Sequence, residues 1–196
     1  MKKQFTLKAV TLAVAAALAA PTLVSAAVDL DTGTGTVTYA AELITNGTTP
    51  ITDNSLDVSH KLGFGVADTQ TRYIRYDLSN AGFNVQVANA DLAVGGSTVA
   101  VVQGGSPGST SVIFQITAGA DFTADDSVSF LLGSGNVDGI VPEDKSSPVT
   151  ISYSLYETAA TAVDGGSGGR LSNKTGTLAE FEPSLIFTTQ LNTTTA

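Results

Sequence analysis

An all-β fold is what this sequence predicts: an antiparallel β-sandwich, Ig-like or jelly-roll-like, of about nine or ten strands. Three observations carry the prediction. Apolar residues recur at alternate positions through most of the chain, and no long helical period follows residue 26. Clusters of Gly, Asn, Asp, Pro and Ser punctuate the runs as turns. Thr, Ser, Gly, Ala, Val and Asp dominate the composition, which suits a β-rich extracellular protein with many turns.

The first segment is expected to be removed. Met1-Lys2-Lys3 and Lys8 form a basic leader, Ala9–Ala20 is apolar, Pro21 breaks the run, and Val24-Ser25-Ala26 is an A-x-A-like cleavage signal. This is the pattern of a secretory signal peptide over 1–26, with a single domain over 27–196. A membrane anchor is the competing reading, but a span needs about 20 apolar residues. The chain is therefore expected to cross the inner membrane and reach the cell surface, the medium or the periplasm, with no membrane span in the mature part.

Loss of the three leader lysines takes the formal charge from −9 to −12. An acidic surface of this kind repels nucleic acid and anionic membranes, so neither is an expected partner. About 170 residues suffice for one sizeable core without disulfides, and the chain has no cysteine.

The elements follow in order. Thr34–Thr45 alternates Val37, Tyr39, Ala41 and Leu43 against polar neighbours, and Asn46-Gly47 turns the chain. Ser55–Val66 has the cleanest alternation, with Leu56, Val58, His60, Leu62, Phe64 and Val66 on one face. In Thr71–Val87, Ile74, Tyr76 and Leu78 oppose Tyr73, Arg75 and Asp77. After the break at Ser79–Gly82, Phe83, Val85 and Val87 share a face. That pattern predicts a β-hairpin or two tightly joined strands. Strands are also expected at Ser97–Gln103, Thr110–Thr117, Ser127–Leu132, Pro148–Glu157, Gly176–Glu182 and Ser184–Leu191, with Leu92 and Val94 as apolar positions before Gly95-Gly96. Gly133–Ser147 is read as the longest irregular connection, and Thr158–Val163 as a helical turn or a continued strand. The expected core is Leu56, Val58, Leu62, Phe64, Ile74, Tyr76, Val85, Phe114, Ile116, Phe130, Ile151, Tyr153 and Phe187.

Chemistry is sparse. His60 is the only histidine and stands in an apolar row, which predicts a hydrogen-bonded, half-buried side chain. The two G-x-S-x-G matches, around Ser106 and Ser167, lack the strand–turn–helix context of a nucleophile elbow. No catalytic residue is assigned, and no enzyme is expected. Asn136, Asp138, Glu143 and Asp144 are the candidate metal ligands, and calcium is the candidate ion. The EF-hand pattern fails there, because Ser134 and Lys145 occupy its first and twelfth positions. An irregular calcium site and a set of solvated turn acids both stand, and the frequency of Asp and Asn in turns favours the second. The sequons at Asn46, Asn173 and Asn192 are read as composition in a Thr-rich chain with a bacterial type of leader. Arg72, Arg75 and Asp77 with Tyr73 and Tyr76 form the most distinctive surface, fit either for binding or for cross-strand ion pairs. The candidate interface residues are Val37, Tyr39, Ala41, Leu43, Tyr73 and Arg75.

The stretches VDLDTGTGTVTYAAEL and RYIRYDLSNAGF, in an exported cysteine-free chain, resemble exported β-rich cell-surface proteins of Gram-negative bacteria. The resemblance implies an envelope or extracellular structural role and transfers no functional residue. The general character is also similar to filament subunits that assemble by donating a strand. Two classes of function follow. One is a structural or adhesive surface protein whose partner is a further copy of itself, assembled when the mature N-terminus Val28–Thr45 fills a neighbour's sheet edge. The other is a non-catalytic module for carbohydrate or another surface ligand, assisted by calcium. The lack of Trp counts against the module.

Overall fold

The computed structural model describes residues 27–183. The expected leader 1–26 and the expected strand 184–191, with its core candidate Phe187, lie outside the described residues. The described chain is mostly β, as alternation and composition predict. Among the described residues twelve strands form three sheets, more than expected because four of these strands have only two or three residues.

The largest sheet orders β2 (Val37–Ala40), β12 (Arg170–Glu182), β11 (Val149–Tyr156), β4 (Thr71–Ser79), β8 (Ser111–Thr117) and β7 (Thr98–Gly104). A four-stranded sheet orders β1 (Val28–Asp29), β3 (Val58–Lys61), β9 (Ser127–Phe130) and β6 (Leu92–Val94). A small pair joins β5 (Ala81–Phe83) to β10 (Ile140–Pro142). One α-helix is present among the described residues, α1 (Ala159–Asp164), and it crosses the outer side of the largest sheet. Among the described residues no helix is long and apolar enough to cross a membrane.

The antiparallel expectation needs correction, because both larger sheets are mixed. β1 runs parallel to β3, with Val28 opposite Val58. β2 runs parallel to β12, with Val37 opposite Ala179. The run from Val28 to Ala40 thus divides between two sheets. Gly35, at φ +92°, makes the crossing, and a Cβ there would sit 2.6 Å from the Ala27 carbonyl oxygen.

One core lies between the inner faces. Val58, Leu92, Val128 and Phe130 from the smaller sheet meet Ile74, Tyr76, Phe114, Ile116, Ile151 and Tyr153 from the larger. Tyr76 stacks on Phe130 with ring centroids 4.6 Å apart, and Phe114 meets Phe130 edge-on at 5.7 Å.

Two runs depart from expectation in part. Of the two readings of Thr71–Val87, the two tightly joined strands hold and the hairpin fails: β4 pairs with β8 and β11, while β5, one residue on, leaves to pair with β10. Asn80, at φ +66°, makes the joint. Its side chain donates to the carbonyls of Asp144 (2.6 Å) and Ser147 (2.8 Å), so it anchors a distant loop and turns no hairpin. Val85 falls beyond the end of β5, loses the alternation and is 41% exposed. Ser55–Val66 is not one strand either. Gly63, at φ +76°, breaks the row after β3 and Leu62, and Phe64 turns out to 39% exposure. Leu62 stays buried through its amide bond to the Asp126 carbonyl (2.8 Å), and Val66 returns through a bridge to Phe122.

Candidate functional site

The alternation of β3 points His60 inward beside Val58, where Tyr76 of β4 and Tyr153 of β11 converge. His60 is 3% exposed, deeper than the half-burial expected. Its Nδ1 lies 2.9 Å from the Lys61 carbonyl, which only accepts, so Nδ1 carries the proton. Nε2 then accepts from the Tyr76 hydroxyl at 2.7 Å. The imidazole packs on Tyr153 with centroids 3.9 Å apart, and the Tyr153 hydroxyl donates to the Leu62 carbonyl at 2.8 Å. Burial drives the His60 pKa down to about 4, and the Lys174 charge acts in the same direction against the Lys61 carbonyl and the charges of Asp31 and Asp29. Burial raises the pKa of both tyrosines. All three groups are neutral at pH 7, and both imidazole nitrogens are engaged within the protein.

A ring of charge rims this centre. Lys174 of β12 pairs with Asp31, and the Lys61 amide donates to the other oxygen of the same carboxylate at 2.6 Å. Partial burial works against ionisation of Asp31, but the hydrogen bonds from Lys174 and Lys61 outweigh it and hold its pKa below the ordinary value. Lys61 Nζ reaches Asp125 at 2.7 Å. The ring joins the segment after β1 to β12 and β3, which are far apart in sequence.

The candidate interface residues separate into two places. Tyr73 and Arg75 lie on the outer face of β4, beneath α1. Tyr73 packs with Ile113, Tyr156 and Ala162. Arg75 binds the Asp77 carboxylate through Nε and Nη2 at 2.8 Å. Its Nη1 donates to the carbonyls of Ala162 (2.9 Å) and Val163 (3.0 Å), capping the C-terminal end of α1. This surface is thus used for an ion pair and a helix cap. Val37 and Tyr39 lie on β2, whereas Ala41 and Leu43 leave the strand in a 3-10 turn over Ala41–Leu43. Lys145 Nζ holds that turn through the carbonyls of Ala41 and Ile44, each at 2.9 Å. Leu43 is 68% exposed beside a groove lined by Tyr39, Ile44, Pro50 and Ile51.

The candidate metal ligands do not come together. The amide and side-chain nitrogens of Asn136 donate to Asp91 Oδ1 at 2.6 and 2.9 Å. Asp138 offers only its carbonyl, to Asn84 at 2.7 Å. Asp144 takes the amide and hydroxyl of Ser146 at 2.9 and 2.6 Å, and these bonds lower its pKa. The amide of Glu143 bonds the Asn80 carbonyl at 2.9 Å. Among the described residues no three His, Asp or Glu side chains converge in a way that would hold a metal ion. Asp91, which the sequence reading did not single out, is the polar group that matters here. It is fully buried and accepts from the Ala88 amide at 2.7 Å as well as from Asn136. Asp57 does the same for the amides of Gly133 and Ser134, both at 2.9 Å.

No family model matches this chain, no curated protein matches it, and no solved structure matches it.

Proposed function

We propose that the protein is an exported, non-catalytic structural or adhesive component of the cell surface, built as a β-sandwich. The support is the use made of its polar side chains. His60, Arg75, Lys145, Asp57, Asp91 and Asn80 each bond backbone groups or aromatic hydroxyls that fasten loops to the sheets. Groups that most often carry chemistry are here spent on rigidity. The aromatic contacts between the two larger sheets support the sandwich reading.

Self-association through a sheet edge is the assembly this reading admits. β2 and β7 end the largest sheet, and an unpaired edge offers backbone groups to a further strand. The N-terminal segment is not a spare donor, since Val28–Asp29 and Val37–Ala40 already pair with β3 and β12 of the same chain. Its exchange between copies would first break both pairings.

The test is to express the full chain with a C-terminal epitope, fractionate the cells, probe intact cells with protease and sequence the N-terminus. The expected result is a chain beginning at Ala27 or Val28, accessible from outside. An uncut chain held in the cytoplasm would overturn the proposal. Sedimentation and electron microscopy across salt and calcium then decide between filaments and monomer.

A further inference from the structure

We propose that Lys174 and Asp31 join covalently, their side chains condensing to an amide that ties β12 to the segment after β1. This goes beyond the surface role proposed above and does not depend on it.

Lys174 stands where alternation calls for an apolar side chain. It lies opposite Tyr153 in the β11–β12 ladder, so it projects from the inner face of the largest sheet. Its stem passes Gly63, where an added Cβ would sit 3.9 Å from Lys174 Cε. Nζ is in direct contact with Asp31 Oδ1. Asp31 is held in place by bonds around it. Its own amide donates to Asp29 Oδ1 at 2.8 Å, the Leu30 amide donates to the Ser59 carbonyl at 3.0 Å, and the Lys61 amide donates to Asp31 Oδ2 at 2.6 Å. The Lys174 and Asp31 side chains are only 17% and 26% exposed. The neighbouring pair of Lys61 and Asp125 offers the contrast, because both of its side chains are exposed and water solvates both ions.

The reaction balances within the pair. A proton passes from the Lys174 ammonium to Asp31 Oδ1, and the freed lone pair of Nζ attacks Cγ. The C–N bond forms, the Cγ–Oδ1 bond breaks, and Oδ1 leaves as water with a second proton from Nζ. No oxidant, reductant or further reactant is needed. Oδ2 carries the negative charge of the tetrahedral intermediate, and the Lys61 amide already donates to it. Burial favours the first proton transfer, because an amine and a carboxylic acid lose less hydration than two ions. The lowered pKa of Asp31 opposes that transfer, so the step is slow and happens once per chain. Contact between the two groups supplies an effective molarity of about 10⁵ M or more, whereas free amine and acid stay apart in water. A pocket of about 180 Å³ beside Asp31, bounded by Ser59, His60 and Ser127, has room for the released water. The product is uncharged, so the opposed effects of Lys174 and Asp31 on His60 vanish together.

The bond joins residues 143 positions apart and encloses most of the described chain in one covalent loop. It does in a chain without cysteine what a disulfide does elsewhere.

The experiment is the intact mass of the folded full chain, set against the mass that its observed N-terminus requires, followed by tryptic mapping. The expected result is a wild-type chain lighter by one water, a branched peptide joining the Asp31 segment to Lys174, and no cleavage after Lys174. Lys174→Arg, which keeps the positive charge, and Asp31→Ala are each expected to have the full mass. A wild-type chain that keeps its full mass after prolonged incubation at neutral pH would overturn the proposal. A missing water mapped to Asp138-Gly139 or Asp164-Gly165 would be a succinimide at an Asp–Gly step and would overturn it as well. The wild-type mass and map decide the matter even where a variant does not fold.

Discussion

Acidification below pH 6.5 is expected to destabilise the fold through one side chain. His60 is buried, neutral and bonded at both nitrogens, and its pKa of about 4 lies well below the value of about 6.5 for an exposed imidazole. As pH falls through 6.5 the unfolded chain takes up a proton that the folded chain refuses. The stabilisation is complete above pH 7.5, is lost between 6.5 and 4, and levels off below 4, where the folded state protonates too. Between pH 7.5 and 4.5 the loss is about 2.5 kcal/mol, a large part of the net stability of a domain this size. The groups facing the imidazole are Lys174, Asp31 and Asp29, and of these Asp31, with its lowered pKa, loses its own contribution only below the carboxylate range near 4. The assay is urea unfolding of wild type and His60→Gln at pH 7.5, 6, 5 and 4.5. The variant starts less stable, but its curve across this window is expected to be flatter by that amount. Parallel curves, or an imidazole NMR resonance in the folded protein that titrates near 6.5, would refute the reasoning.

Phe130→Ala is expected to cost about 3–5 kcal/mol by chemical denaturation, because Phe130 sits among Tyr76, Phe83 and Phe114, whereas the half-exposed Phe64→Ala should cost under about 1 kcal/mol. Asp91→Ala leaves the Ala88 and Asn136 amides without their acceptor and should cost about 2–4 kcal/mol, with faster amide exchange confined at first to the loop after β9. Arg75→Ala frees the carbonyl end of α1, so protease cleavage near Val163–Gly169 should rise while the core retains its near-ultraviolet dichroism. Millimolar calcium is expected to leave the melting temperature unchanged, since among the described residues no three acids converge to hold a cation; a rise that Asp138→Ala abolishes would restore the calcium reading.

Alternation made the β class and most of the core legible, because it reports which face of an extended run is buried. Ile74, Tyr76, Phe114, Ile116, Ile151 and Tyr153 all lie in the core where the period of two places them. It failed where the backbone left the strand without leaving the pattern. Phe64 keeps its place in the row of Ser55–Val66, but the positive φ of Gly63 has already turned the chain. Val85 keeps its place after Phe83, but the strand has ended. Partners were less legible than strands. Nothing in Ser79–Gly82 announces that β5 will pair with β10, because the bond that decides it runs from Asn80 to Asp144 and Ser147. Parallel pairing of β1 and β2 was hidden for the same reason: direction depends on residues more than a hundred positions away in the case of β12.

Asn136 and Asp144, which read as ligands in sequence, take part in loop locks in space, and the two roles draw on one property. A carboxylate or carboxamide is a short, strong acceptor, and it can take a cation or a backbone N–H. What decides between them is how many such groups converge. Asp91 meets Ala88 and Asn136, Asp57 meets Gly133 and Ser134, and Asp144 meets Ser146. Each of these acids is satisfied by donors around it, and among the described residues no three acids converge as a cation site requires. A chain without cysteine that is rich in Gly-containing loops has few other means of fixing those loops to its sheets. Bonds of this kind, half-buried at Asp57, Asp91, Arg75 and Lys145 and exposed at Asn80, give the loops the rigidity that disulfides supply elsewhere. The dependence of His60 on neutrality is the counterpart: fastening a core with neutral polar bonds ties its strength to pH.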